Sequence, residues 1–406
     1  MRSTWTRAWF VALTLALIAG VSPARADVVP DANAKAAEIA SKAPGTPPAV
    51  RFMAIVQVSV FEAVNAITAR YPAFRAKMTA APGASVDAAV AAATRGALLK
   101  LMPGQQAAIE ADYQAALKAV PDGAAKSAGI AAGEQASAAI VQMCADDGAM
   151  APDTYRPHAA AGSYVPTMSP AVPHWGKRRP WVMTRADQFR PGPPPSLTSD
   201  TWTRDYNEIK AVGGKNSTVR TAEQTAIAKF WEATAPNVYW PVVRSVGNQP
   251  GRDVTDNARL FAVAAMAMDD ALISVFDAKY HYNFWRPVTA IRNGHDGNDA
   301  TTREPGWTPF IDTPMHPEYP CAHCIVSSSL GAVLAAEIGS GPAPTLSSSS
   351  APAQNAVRTW ATVNDFTQEV SLARIYDGVH YRNSTVVGSV MGKKIGELAV
   401  QTLPKK

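Results

Sequence analysis

An all-α protein built of packed helix bundles is predicted by three observations. Apolar residues recur at three- and four-residue spacing over long stretches. Ala-rich runs lie between Gly and Pro breaks. The period-two alternation of strands is nearly missing from the chain. Residues 48–68 show the first signal clearly, with apolar residues at Val50, Met53, Ile55, Val58, Phe61, Val64 and Ile67 and polar ones between. Ala-rich helices over 85–101 and 104–119 are separated by Met102-Pro103-Gly104, and a further helix spans 124–144. From 152 to 197 periodicity vanishes and Pro, Trp and Arg are frequent, ending in Pro191-Gly-Pro-Pro-Pro195. A loop of that length with so many aromatic residues reads as an ordered wrapping connection.

Helices resume over 201–212, 221–234 and 256–281. Asp269-Asp270 in the last of these is read as an exposed helical face, ion pairing with Arg286 or Arg374 being the other option. Residues 325–338 read as a helix ending at Gly339, preceded by His323. A Ser/Pro-rich loop over 339–352 leads to a helix over 353–374, a break at Gly378 and a final helix over 384–403. Two regions follow: 27–197, helical with the long wrapping segment, and 198–406, a helical bundle that carries the chemistry.

The first 26 residues read as a secretory signal peptide. Arg2 and Arg7 precede an apolar run over 8–21, and Ala24-Arg25-Ala26 is a small-x-small cleavage site. The run is short for a membrane anchor, which needs ~20 residues. No later segment reads as apolar for long enough to span a bilayer, so an exported, soluble chain is expected, periplasmic or secreted. Lys and Arg number 38 against 33 Asp and Glu. Removing the leader takes three Arg, leaving 35 against 33, so the basic balance implies neither a nucleic-acid nor a membrane partner. Of three cysteines, Cys321-Ala-His-Cys324 is open to several readings: a redox pair, half a zinc site with His316 nearby, a buried thiol pair, or a disulfide.

Three segments carry the functional signal: Lys279-Tyr-His-Tyr-Asn-Phe-Trp-Arg286-Pro287, Pro320-Cys321-Ala322-His323, and Arg374-Ile-Tyr-Asp-Gly-Val-His380. Together they supply the inventory for gripping a tetrahedral oxyanion. Cations neutralise its charge, Arg forks bond its oxygens, and a His is left to bond the central atom or move a proton. Lys279 and Arg286 lie almost two helical turns apart and can share a face, with Arg286 at the helix end because Pro287 disfavours helix before it. His323 stands before a helix, where free N–H groups favour anions. Arg374 and His380 need the break at Gly378 to face the same way.

In order and spacing these segments resemble the vanadium haloperoxidase / type 2 phosphatidic-acid phosphatase superfamily, whose pattern is Lys-x6-Arg-Pro, Pro-Ser-Gly-His and Ser-Arg-x5-His. Cys321 stands at the family's Ser, Ala322 at its Gly, and Ala373 at the Ser before Arg374. The stretches 277–292 and around Arg220-Thr-Ala-Glu-Gln-Thr are similar to the bacterial haloperoxidase-like branch. The resemblance implies the helical-bundle fold of that superfamily and vanadate as cofactor, or phosphate in the same cradle if the chain is a phosphatase. It implies that His380 bonds the central atom as ligand or nucleophile and that His323 is the acid–base partner. Lys279, Arg286 and Arg374 would hold the oxyanion, with Cys321 in place of the serine donor and the Ala322 backbone N–H beside it. Implied partners are small molecules: hydrogen peroxide, halide and an organic acceptor, or a phosphate ester. His316, five residues before Cys321, and the aromatic cluster Tyr280, Tyr282, Phe284 and Trp285 favour the haloperoxidase side, and in the family a His near that place accompanies bromide oxidation. The alternatives are an acid phosphatase working through a phosphohistidine and a non-catalytic exported oxyanion-binding protein.

Overall fold

The structure, a computed structural model, describes residues 27–405; the expected leader over 1–26 lies outside the described residues. Helix α1 (Val28–Ala40) starts where the Asp27 carboxylate accepts from Val29 N, and α2 (Thr46–Thr68) has Pro at its first turn and ends at Ala69 in the left-handed region, φ 49°. Helix α3 (Val86–Leu101), α4 (Gln106–Lys118) and α5 (Ala124–Met143) complete an N-terminal bundle. α2 packs on both α3 and α5 and also on the central helix described below. Length and composition would let α2 cross a membrane, contrary to the sequence expectation. Its apolar faces are instead spent inside the protein: Met53 to Val64 are buried throughout.

The irregular segment from about 144 to 199 holds one short 3-10 turn, Trp175–Lys177, and wraps the core as expected. Then follow α6 (Asp200–Val212), α7 (Ala222–Trp231) and α8 (Trp240–Gly247). The central α9 (Val254–Tyr282) begins with Asp253 accepting from Thr255 N and Asp256 N, and every residue from Asn257 to Phe276 is buried. At about 1.5–3 kcal/mol for each large apolar side chain removed from water, this helix is the main anchor of the core. It packs on α2, and on α11 (Ala322–Ile338) and α13 (Arg382–Thr402); a short α10 (Pro287–Asn293) intervenes and α12 (Val363–Tyr376) completes the C-terminal bundle. One apolar core runs from Val29 through α9 to Leu403, so the two regions share it.

Two further expectations fail. Residues 339–362 are not a plain loop: β1 (Leu346–Ser350) pairs antiparallel with β2 (Ala356–Trp360), Leu346 opposite Trp360, and the helix expected from 353 starts only at Val363 behind a Thr362/Asp365 capping box. Asp269 and Asp270 are fully buried rather than on an exposed face. Their partner is neither Arg286 nor Arg374. Arg178 from the wrapping segment donates to both Asp269 oxygens at 2.7 and 3.0 Å, and Asp270 accepts from the backbone N–H of Trp181, Val182 and Met183 at 2.7–3.0 Å. A helical period cannot tell a solvent-facing carboxylate from one that receives a crossing loop.

Candidate active site: a buried cationic cradle

Lys279 lies in the last turn of α9, which stops where Asn283 adopts φ 50°. Arg286 therefore does not end that helix, nor share a face with Lys279; it is the N-cap of α10, brought back by the reversal between them. Arg374 is in the last turn of α12. Gly378 follows at φ 79°, in contact so tight that a Cβ would come 2.2 Å from the Gly213 carbonyl, and this turn swings His380 back toward Arg374. His380 N and Val379 N both donate to Arg374 O. His323 belongs to the first turn of α11 rather than preceding it, with Cys321 as the N-cap.

The geometry joins these elements. Lys279 Nζ donates to the carbonyls of Pro317 and Glu318 at 2.8 and 2.7 Å. Arg286 donates to His316 O at 2.9 Å and Val379 O at 2.8 Å, and its two terminal nitrogens lie 3.2 Å from His380 Nε2 and 2.9 Å from His316 Nδ1. Arg374 donates to Trp231 O at 2.8 Å and sits 2.6 Å from the Asp377 carboxylate, while its buried Nε has no protein partner. His323 Nε2 is 3.3 Å from Ala233 O. His316 packs edge-on to Phe276 at 5.2 Å. His281 is exposed, away from the cradle, as expected for a residue outside the motif.

Electrostatics bind the set into one unit. Burial, then the charges of Lys279 and Arg286, push His316 well below the ordinary histidine range. Burial and Arg374 do the same to His323, and burial and Arg286 to His380. Lys279 is held well below its usual value by burial and by Arg286, and burial brings Arg286 down to about 10. These are the marks of cations crowded together out of water with too little negative charge among them. The carboxylates that are present are weak counter-charges, since burial raises both Glu318 and Asp377 to about 7.

Glu318 and Asp377 escaped the sequence reading. Glu318 Oε1 lies 2.8 Å from His380 Nδ1 and also accepts from Tyr381 N at 3.1 Å. Nδ1 therefore carries the proton and Nε2 presents its lone pair to the cradle. The only hint was the adjacency of Glu318 to the Pro-Cys-Ala-His segment. Cys321 needs a correction: it is bridged to Cys324, so its sulfur bears no hydrogen and cannot donate to an oxyanion. The same bridge removes both thiolates from a zinc site. Ala322, the first residue of α11, keeps its backbone N–H at the helix N-terminus.

The residues fit a bound oxyanion such as vanadate. Three buried cations, an orphaned guanidinium N–H on Arg374 and a lone pair at His380 Nε2 are what such a group requires. Fold and cradle together define a helical-bundle protein with a buried cationic oxyanion site. Residues 259–405 match the family described as the VCPO second helical-bundle domain. A 200-residue stretch, 41% of the chain, is 28% identical to vanadium chloroperoxidase of Curvularia inaequalis and spans 32% of that relative, about a third of its length. A bacterial vanadium-dependent iodoperoxidase superposes with TM-score 0.79 at 23% identity, over 93% of this chain and 97% of that one. An apo-type bacterial vanadium-dependent chloroperoxidase gives 0.71 at 17% identity, over 89% and 95%. Residues 259–405 thus match that family's second helical-bundle domain, and the chain as a whole shares the fold of the bacterial vanadium-dependent haloperoxidases.

Proposed function

We propose that this chain is a vanadate-dependent haloperoxidase that oxidises halide with hydrogen peroxide, bromide being the favoured halide. The observation that supports it best is His380: buried, fixed by Glu318 with Nε2 toward the cradle, and surrounded by Lys279, Arg286 and Arg374. Vanadate, when bound, supplies a Lewis acid that activates peroxide without changing oxidation state. Lys279, Arg286 and Arg374 neutralise the oxyanion. His380 bonds its central atom. His323, neutral in the anion-free site, takes the proton that peroxide gives up. The chloro- and iodoperoxidase relatives support halide oxidation as the reaction class, while the bromide preference rests on His316 alone.

Adding vanadate to the purified protein should switch on bromide oxidation. In the phosphatase reading vanadate would instead inhibit phosphate-ester hydrolysis, and anion binding with neither activity would leave a binding protein. His380→Ala should abolish turnover with the fold intact by circular dichroism; appreciable turnover by that variant would show that His380 does not bond the central atom. His316→Phe removes the contact to Arg286 Nη2 and should weaken bromide oxidation more than it weakens vanadate binding. Bromide oxidation indifferent to that change would remove the support for bromide.

A further inference from the structure

The Cys321–Cys324 bridge supplies no donor to the cradle, yet it occupies a closely packed turn of the site. Cys321 caps α11, with its sulfur 3.3 Å from Cys324 N, and both cysteines are fully buried. His323 lies inside the four-residue ring that the bridge closes. Behind this turn stands α13, so close that a Cβ at Gly388 would meet Cys321 O at 2.7 Å and Cys324 Cβ at 3.3 Å, while Cys321 N donates to Ser384 O. The charges of Arg374, Lys279 and Arg286 all act on His323, the residue within this turn. The third cysteine, Cys144, is buried at the end of α5 beside Arg51 and Asp147, with its thiol pushed up to about 12 by burial.

We propose that the Cys321–Cys324 disulfide is a peroxide-formed clasp that holds His323 in the cradle and keeps residue 321 from overoxidation to the sulfinic acid. The inference rests on the reading that this site handles hydroperoxide. A thiol beside bound peroxide is a liability, because peroxide transfers oxygen to sulfur and a lone sulfenic acid proceeds to sulfinic acid. Here the second thiol intercepts the first step. Hydrogen peroxide oxidises one thiol to the sulfenic acid with loss of one water. The neighbouring thiol then attacks that sulfur, forms the S–S bond and releases the oxygen as a second water. Two thiols and one peroxide thus give the disulfide and two waters. A carboxylate-like sulfinate at position 321 would put negative charge where the cradle must bind an anion; the bridge is neutral.

Thiol counting on the denatured full-length protein tests the first part: one alkylatable thiol, Cys144, is expected before reduction and three after. Three free thiols in protein never reduced would overturn the proposal. Reduced wild-type protein given one equivalent of hydrogen peroxide should lose two thiols and gain no oxygen by mass; oxygen added at Cys321 instead would overturn it too. The positioning role is read with inorganic phosphate as the probe. Peroxide treatment should leave the wild-type dissociation constant unchanged, but in Cys324→Ala it should add oxygen to Cys321 and weaken phosphate binding by about tenfold or more, the scale of losses at groups that support an anion or metal site. Unaltered affinity and an unoxidised Cys321 in that variant would sink the protective role. None of these readouts needs halide oxidation. Wild-type protein that meets them but oxidises no bromide with vanadate fails the proposed function and leaves the clasp standing.

Discussion

Glu318 decides which nitrogen of His380 faces the cradle, and the cradle decides how readily that histidine is protonated. Without an anion, burial and the neighbouring cations keep His316, His323, His380 and Lys279 well below their ordinary values. A bound anion cancels that repulsion and raises all four, so binding takes up protons. Affinity is therefore greatest at low pH and declines as pH rises through the raised, anion-bound values. Sulfate, which does not titrate in this range, should bind more weakly at each step upward in pH in calorimetric titrations; affinity flat with pH would show that the cradle groups do not couple to the anion. At this scale the motifs made Lys279, Arg286, Arg374, His323 and His380 legible, because each residue type is scarce and its spacing fixed. Glu318 was not legible, since nothing marks a carboxylate as the partner of a histidine 62 residues away until the chain folds. The state of Cys321 was likewise open, as spacing permits a bridge without requiring one.

Among the elements, the long helices followed from their apolar period and their caps, and the observed bounds fall close to those expected for α2 to α6 and α13. The short α8 and α10 left no such trace; one or two turns give too few repeats to stand out. The β1–β2 hairpin was hidden because Leu346-Ser-Ser-Ser-Ser350 lacks the β-branched and aromatic residues that announce a strand. Helix α13 carries a further message in Gly388, Gly392 and Gly396, which fall one turn apart against α11. A Cβ at Gly392 would lie 2.2 Å from the Ile325 carbonyl, and one at Gly396 2.2 Å from that of Ser329. Gly392→Ala should thus force the two helices apart and cost about 1–3 kcal/mol, despite the better helix propensity of alanine. Urea denaturation would show this as a lowered midpoint; a stabilised variant would mean the helices can slide without loss.

For the whole molecule, the wrapping segment is fastened to the core by charge as well as by its aromatic residues. Arg178 bridges Asp147 and Asp269, Arg51 holds the other side of Asp147, and Trp181 Nε1 donates to Asp269 at 2.9 Å, all of it buried. Asp269→Ala leaves the Arg178 charge short of a partner in the interior and should cost about 3–5 kcal/mol. Chemical denaturation measures that loss, and a change below about 1 kcal/mol, the scale of a surface pair, would show the network to be solvated after all. The all-α class and the wrapping character of 152–197 were legible from composition. The charges that hold the wrap in place were not, because Arg178 and Asp269 are joined only in three dimensions.

Main-chain carbonyls, rather than acidic side chains, receive most of the cradle's cationic hydrogen bonds: Pro317 and Glu318 for Lys279, His316 and Val379 for Arg286, Trp231 for Arg374. A carbonyl is present whatever side chain its residue carries. Natural variation can therefore exchange the residues lining the cradle while the cations stay aimed at the anion, provided the local backbone path persists. An anion site anchored in this way gives a lineage room to drift toward new substrates before it loses its grip on the old one.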